Sequence, residues 1–163
     1  MTGRVAQVSL SSGGVPKHPV PHAEIRVEGL LGDGHRDREH HGGPERAVCL
    51  YAMELIEGLR GEGHTVDPGS LGENLTLEGV DWESLAPEAC VRVGEHVVLQ
   101  ITRYTSPCFN IQRAFVGGQF ARISHKRHPG WSRLYARVLR PGTVRPGDRV
   151  EVLTAPEAEA LAR

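Results

Sequence analysis

The chain has 163 residues, 39% hydrophobic and 24% charged, with a formal net charge of -1. That length suits one domain around one sizeable core. The composition excludes a disordered tail protein, a collagen-like fibre, and a global electrostatic case for binding nucleic acid or an anionic membrane. No apolar run approaches the roughly 18 residues of a membrane span, and Met1-Thr2-Gly3-Arg4 lacks the apolar core of a signal peptide, so a cytoplasmic location is expected.

The 20 Gly and 11 Pro punctuate the chain densely and leave short segments between them, which favours strands over long helices. Val5 to Leu10 and Ala23 to Val27 read as short strands, and Arg46 to Tyr51 as another. Ala52 to Leu59 carries Leu55, Ile56 and Leu59 at helical spacing, and Gly61 and Gly63 end that helix. Val91 to Val93 and His96 to Arg103 read as strands, with Val97, Leu99 and Ile101 alternating on one face. Phe109 to Phe115 suits one or two helical turns, and Trp131 to Leu139 and Val150 to Leu153 complete the strands. The Gly94-Glu95 and Gly147-Asp148 turns echo each other between β-branched runs. These features predict a mainly β, single-domain β-barrel with a few peripheral helices. The domain is expected over 1–154, with 155–163 a frayed or disordered Ala/Glu-rich tail.

Several segments carry groups suited to chemistry. The polar stretch from Gly32 to Arg46 holds adjacent His40 and His41 before two glycines, and suits either a solvated turn or the lining of a site. It has no zinc spacing: HExxH is absent and no Cys pair lies nearby. In Gly72-Glu73-Asn74-Leu75, Glu73 and Asn74 offer an acceptor beside an amide that both donates and accepts, which suits the edge of a heterocycle. The same residue types also suit a plain turn. Tyr104-Thr105-Ser106-Pro107-Cys108 follows the clearest strand, and Pro107 breaks that strand just before the cysteine. Cys49 and Cys90 have apolar neighbours and read as small core residues, so Cys108 is the candidate reactive thiol; packing is the competing reading. The basic stretch from Ser124 to Trp131 suits either an anion grip or a solvated loop.

In this order, the segments resemble the MOSC family, named for the C-terminal domain of molybdenum-cofactor sulfurase. The resemblance rests on Gly32-Asp33, Asp37, His41-Gly42-Gly43 and Arg46-Ala47-Val48, on Gly72-Glu73-Asn74-Leu75, and on Pro107-Cys108 followed late by Gly147-Asp148. It implies a β-barrel that binds molybdenum cofactor, with Cys108 as a molybdenum ligand. It also implies reduction of N-hydroxylated compounds such as hydroxylaminopurine-like bases. Under it, Glu73 and Asn74 would bond the pterin or substrate. Ser106 would donate to the phosphate or metal oxo group, Arg46 or Arg103 would neutralise phosphate, and His41 would donate a proton. Thr105-Ser106 departs from the basic residue that relatives often carry before the Pro-Cys pair.

No GxGxxG is present and three cysteines are too few for an iron–sulfur cluster, so electrons would come from a separate reductase. The family has a second proposed role: a sulfur carrier forming a persulfide on Cys108, loaded by a pyridoxal-phosphate cysteine desulfurase. A strand edge left uncovered would favour a homodimer.

Overall fold

The computed structural model describes residues 2–34 and 43–163. The first strand, β1 (Thr2–Leu10), is long enough to serve several partners. On one edge it pairs antiparallel with β6 (Leu75–Glu78). On the other, Thr2 to Arg4 pair with β11 (Arg149–Leu153), while Val8 to Leu10 pair with the short β2 (His18–Val20). The remaining staves are β7 (Cys90–Val93), β8 (Val97–Tyr104), β9 (Leu134–Arg140) and β5 (Val48–Ala52). Running β1-β11-β7-β8-β9-β5-β6 and back to β1, seven strands close a barrel, with β2 appended outside the ring. Closure leaves no free edge within that ring. A separate three-stranded sheet joins β10 (Gly142–Val144), β3 (Ala23–Arg26) and β4 (Gly29–Leu30). The chain is therefore a mainly β barrel with few helices, as the sequence predicts.

The barrel interior is filled by alternate residues of each strand. Val97, Leu99 and Ile101 of β8 meet Leu134 and Ala136 of β9 and Leu75 and Leu77 of β6 in one core. β5 is buried along its whole length. Its Val48 and Leu50 point into the barrel. Tyr51 belongs to a second core outside it, and Cys49 lines a cavity there. That two-sided burial explains why the segment reads as an unbroken apolar run.

β5 and β6 are the barrel's parallel pair, and a parallel pair needs a crossover. α1 (Met53–Gly61) and the loop after it supply the crossover. Ile56 and Leu59 of α1 pack with Tyr51, Val66 and Leu71, and with Ile111, Phe115 and Ile123 from short 3-10 turns that follow β8.

Several sequence-based bounds shift by local chemistry. Pro44 opens a 3-10 turn over Pro44–Arg46, so the strand read from Arg46 begins at Val48. The strand read from Trp131 begins at Leu134. Leu75–Glu78 is a barrel stave although its Gly- and Asn-rich approach reads as a turn. The last residues form α2 (Ala155–Ala162), held at its start by a capping box between Thr154 and Glu157 and by burial of Ala158. No helix among the described residues is long and apolar enough to cross a membrane.

Candidate functional site

A cavity of about 720 Å³ opens where the barrel wall meets the second core. It is lined mainly by the loop between β1 and β2, the approach to β6, the outer faces of β5 and β9, and the turn after β8. Its volume lies in the range of small-molecule and cofactor sites.

Cys108 stands on the turn after β8. β8 ends at Tyr104, earlier than the break expected at Pro107; Cys108 is extended (φ -140°, ψ 173°), and a 3-10 helix over Phe109–Ala114 begins directly after it. Ile111 and Ala114 anchor that turn in the second core. Cys108 is half-buried and lines the cavity, whereas Cys49 and Cys90 are buried. Burial pushes the thiols of Cys49 and Cys90 above the ordinary range. Cys49 nonetheless also lines the cavity, so it is more than a core residue.

Asn74 ties three strands together at the cavity floor. Its main-chain N–H donates to Cys49 O (2.8 Å), and the Cys49 N–H donates back to Asn74 Oδ1 (3.0 Å). The Ser9 N–H donates to Asn74 O (2.8 Å). Asn74 Nδ2 then donates to Ser9 O (3.3 Å) and to Asp33 Oδ2 (2.9 Å). Both amide protons thus have protein partners, and Asn74 shapes the site rather than offering those donors to a ligand. Asp33 also accepts from the Ser11 N–H (3.1 Å) and forms a 2.7 Å ion pair with Lys17 Nζ. The two side chains of that pair are 7% and 2% exposed, so the charges meet largely away from water. The loop holding Lys17 lies against Gly69: the Lys17 N–H donates to Gly69 O (2.9 Å). A Cβ on Gly69, at φ +89°, would overlap the carbonyl oxygen of Lys17.

Arg133 is a second buried cation of the site, 5% exposed. Its Nη1 donates to Leu71 O (2.6 Å) and its Nη2 to Ser106 O (3.4 Å), while the buried Nε has no hydrogen-bond partner. Two places along, Tyr135 lies on the same outer face of β9 and also lines the cavity. Burial pushes its phenol far above the ordinary range, so it keeps its proton at neutral pH. The Arg46 guanidinium lies 6.0 Å from the Tyr135 ring centroid and lines the same space. Four cations, Lys17, Arg46, Arg113 and Arg133, line the cavity, and no carboxylate does so among the described residues. Lys17 is paired with Asp33 behind the wall, and the other cations among the described lining residues are arginines, whose donors suit an anion.

Of the residues singled out from sequence, Cys108, Asn74 and Arg46 come together here. Glu73 is fully buried and does not line the cavity; its Oε2 accepts from Thr76 Oγ1 (3.1 Å), and burial pushes its carboxyl up. Ser106 and Arg103 are exposed and lie outside the lining, although the Ser106 carbonyl helps to hold Arg133. His41 lies outside the described residues. Sequence reasoning did not single out Lys17 as a site residue, nor Arg133 or Tyr135. A signal for the last two exists: Leu134, Ala136 and Val138 alternate with Arg133, Tyr135 and Arg137, so one face of β9 is polar.

A closed barrel carrying one half-buried thiol in an arginine-lined cavity defines the class of this protein. The MOSC domain family model matches residues 37–151, and the chain belongs to the MOSC family. YflK of Bacillus subtilis is 32% identical over 149 residues, covering 88% of this chain and 65% of its own length. YiiM of Escherichia coli is 29% identical over 145 residues, covering 82% of this chain and 63% of its own. The chain therefore spans slightly under two thirds of those relatives. The crystal structure of YiiM from Geobacillus stearothermophilus shares the fold, with a TM-score of 0.71 at 19% identity over 93% of this chain and 75% of that one. The family is generally associated with molybdenum cofactor, a pterin bearing a phosphate and a metal-chelating dithiolene. The residues present fit such a group: the cavity is large enough, it is lined with cations, and a sulfur donor, Cys108, stands in its wall.

Proposed function

We propose that this protein binds molybdenum cofactor in the cavity beside Cys108 and reduces N-hydroxylated compounds with electrons from a separate reductase. The observation that carries this reading is the cavity itself: a half-buried thiol facing arginines with no carboxylate among the described lining residues. Cys108 would be the protein's ligand to molybdenum, and Arg46 and Arg133 would face the cofactor phosphate. Bound molybdenum cofactor supplies the two-electron chemistry and the oxygen acceptor that cleavage of an N–OH bond requires.

The chain's own contribution is positional and electrostatic. Asn74 and the Lys17–Asp33 pair fix the floor, so the cavity keeps its shape when empty. Tyr135 holds its proton on Oη and is a hydrogen-bond donor at neutral pH. Ile111 and Ala114, packed in the second core, fix the turn on which the half-buried thiol stands.

The test is molybdenum content by elemental mass spectrometry. Wild type and Cys108→Ala are produced in a host that makes the cofactor and compared for reduction of a hydroxylaminopurine with an added flavin reductase. Near-stoichiometric molybdenum in wild type, lost with activity in Cys108→Ala at unchanged circular dichroism, is the expected result. Absence of both molybdenum and pterin from wild type overturns the reading. Added sulfur mass on Cys108 after exposure to a cysteine desulfurase then identifies a persulfide carrier instead.

A further inference from the structure

The residue after Cys108 has a surface that its own fold leaves unused. Phe109 is 68% exposed and yet lines the cavity. Val27, Leu31 and Val116 are similarly exposed, but none of them lines it. Leaving most of a phenyl ring in water forgoes a large apolar burial term. The backbone that carries it is anchored: Ile111 and Ala114 on the same turn are 2% and 8% exposed. Phe109 therefore presents an exposed aromatic side chain to the cavity from an anchored turn, one residue after the thiol. Asn110 and Gln112, on the same turn, also line the cavity, and each amide both donates and accepts.

We propose that Phe109 is the stacking platform for a planar ring of the substrate and makes the site selective for N-hydroxylated nitrogen heterocycles over non-planar N-hydroxylated compounds. This rests on the reading that the substrate is bound in the cavity of Cys108. A flat π-face on an anchored turn accepts any planar base by offset stacking. The neighbouring amides suit the ring edge, where nitrogen heterocycles alternate donors and acceptors. A saturated, non-planar substrate gains nothing from the ring and still meets the arginines.

The experiment uses 2-aminopurine, a fluorescent planar base without an N–OH group, so the readout needs no turnover. Saturable quenching is measured with wild type, Phe109→Ala and Phe109→Trp, each produced in the cofactor-making host and assayed for molybdenum. The expected result is saturable quenching by wild type, an affinity about tenfold or more weaker in Phe109→Ala, and recovery in Phe109→Trp. Equal affinity in wild type and Phe109→Ala overturns the proposal, as does absence of saturable binding to wild type. Equal molybdenum in all three proteins attributes a lost affinity to the platform rather than to the cofactor site. Molybdenum absent from all three, with quenching still dependent on Phe109, overturns the reductase reading and leaves the platform standing. As a second readout, the kcat/KM preference for a hydroxylaminopurine over an aliphatic amidoxime should fall in Phe109→Ala and return in Phe109→Trp.

Discussion

The barrel and the flank beside it hold together in different ways. The barrel is closed by continuous ladders, and its interior is a contiguous set of Val, Leu, Ile and Ala side chains. The flank is one short helix and a series of 3-10 turns around Tyr51, Ile56, Leu59 and Ile111. Individual side chains tie it down. Tyr51 Oη donates to Trp131 O (2.8 Å), and Arg122 bonds both oxygens of Glu62 (2.8 and 2.7 Å) while lying 4.0 Å over the Trp131 ring. The cavity lies at the seam between the two. One wall is thus fixed by strand ladders and the other by individual side-chain contacts.

The largest effect is expected at the buried ion pair that stiffens the barrel side of the seam. Asp33→Ala leaves Lys17 as a buried cation without its carboxylate and is expected to cost about 3–5 kcal/mol in urea unfolding. Lys17→Met should cost less, because Asp33 keeps the donors of Asn74 and Ser11. Equal costs would show that the pair itself, rather than the stranded charge, sets the stability.

The next pair separates the regions directly. Leu99→Ala in the barrel and Ile111→Ala in the flank each remove a buried side chain and should each cost about 2–5 kcal/mol. Their effects on the thiol should differ. Ile111 anchors the turn of Cys108, so Ile111→Ala should speed iodoacetamide labelling of Cys108 under native conditions, and Leu99→Ala should not. Equal acceleration would show that barrel and flank yield as one unit.

The smallest effect is a pH slope from Glu73. Burial raises its carboxyl, so the native state holds the proton to higher pH than the unfolded chain does. Its stabilising contribution is full below the ordinary carboxylate value of about 4.3 and is lost as pH rises through the native value. Glu73→Gln keeps the shape and removes the titration. Unfolding midpoints measured across this range should fall with pH in wild type and stay flatter in the variant. A steeper decline in the variant would assign the opposite sign.

The sequence by itself determined what depends on near neighbours. The alternation of Val97, Leu99 and Ile101, the dense turns, and the helical spacing through Ile56 and Leu59 specify a mainly β fold with few helices, because side-chain direction repeats locally along strand and helix. The apolar neighbours of Cys49 and Cys90 likewise agree with their burial, while Cys108 is half-buried. Tertiary structure alone decided which charges meet. Lys17 and Asp33 form a pair across 16 residues of chain, and Asn74 reaches back 41 and 65 residues to Asp33 and Ser9. Arg133 becomes a buried cation only because the loops of Leu71 and Ser106 fold over it. Glu73 and Asn74 stand side by side in sequence, yet one is sealed behind the wall and the other forms the floor. Periodicity tells which way a side chain points; only closure of the barrel sets what stands opposite it, and burial and charge depend on what stands opposite.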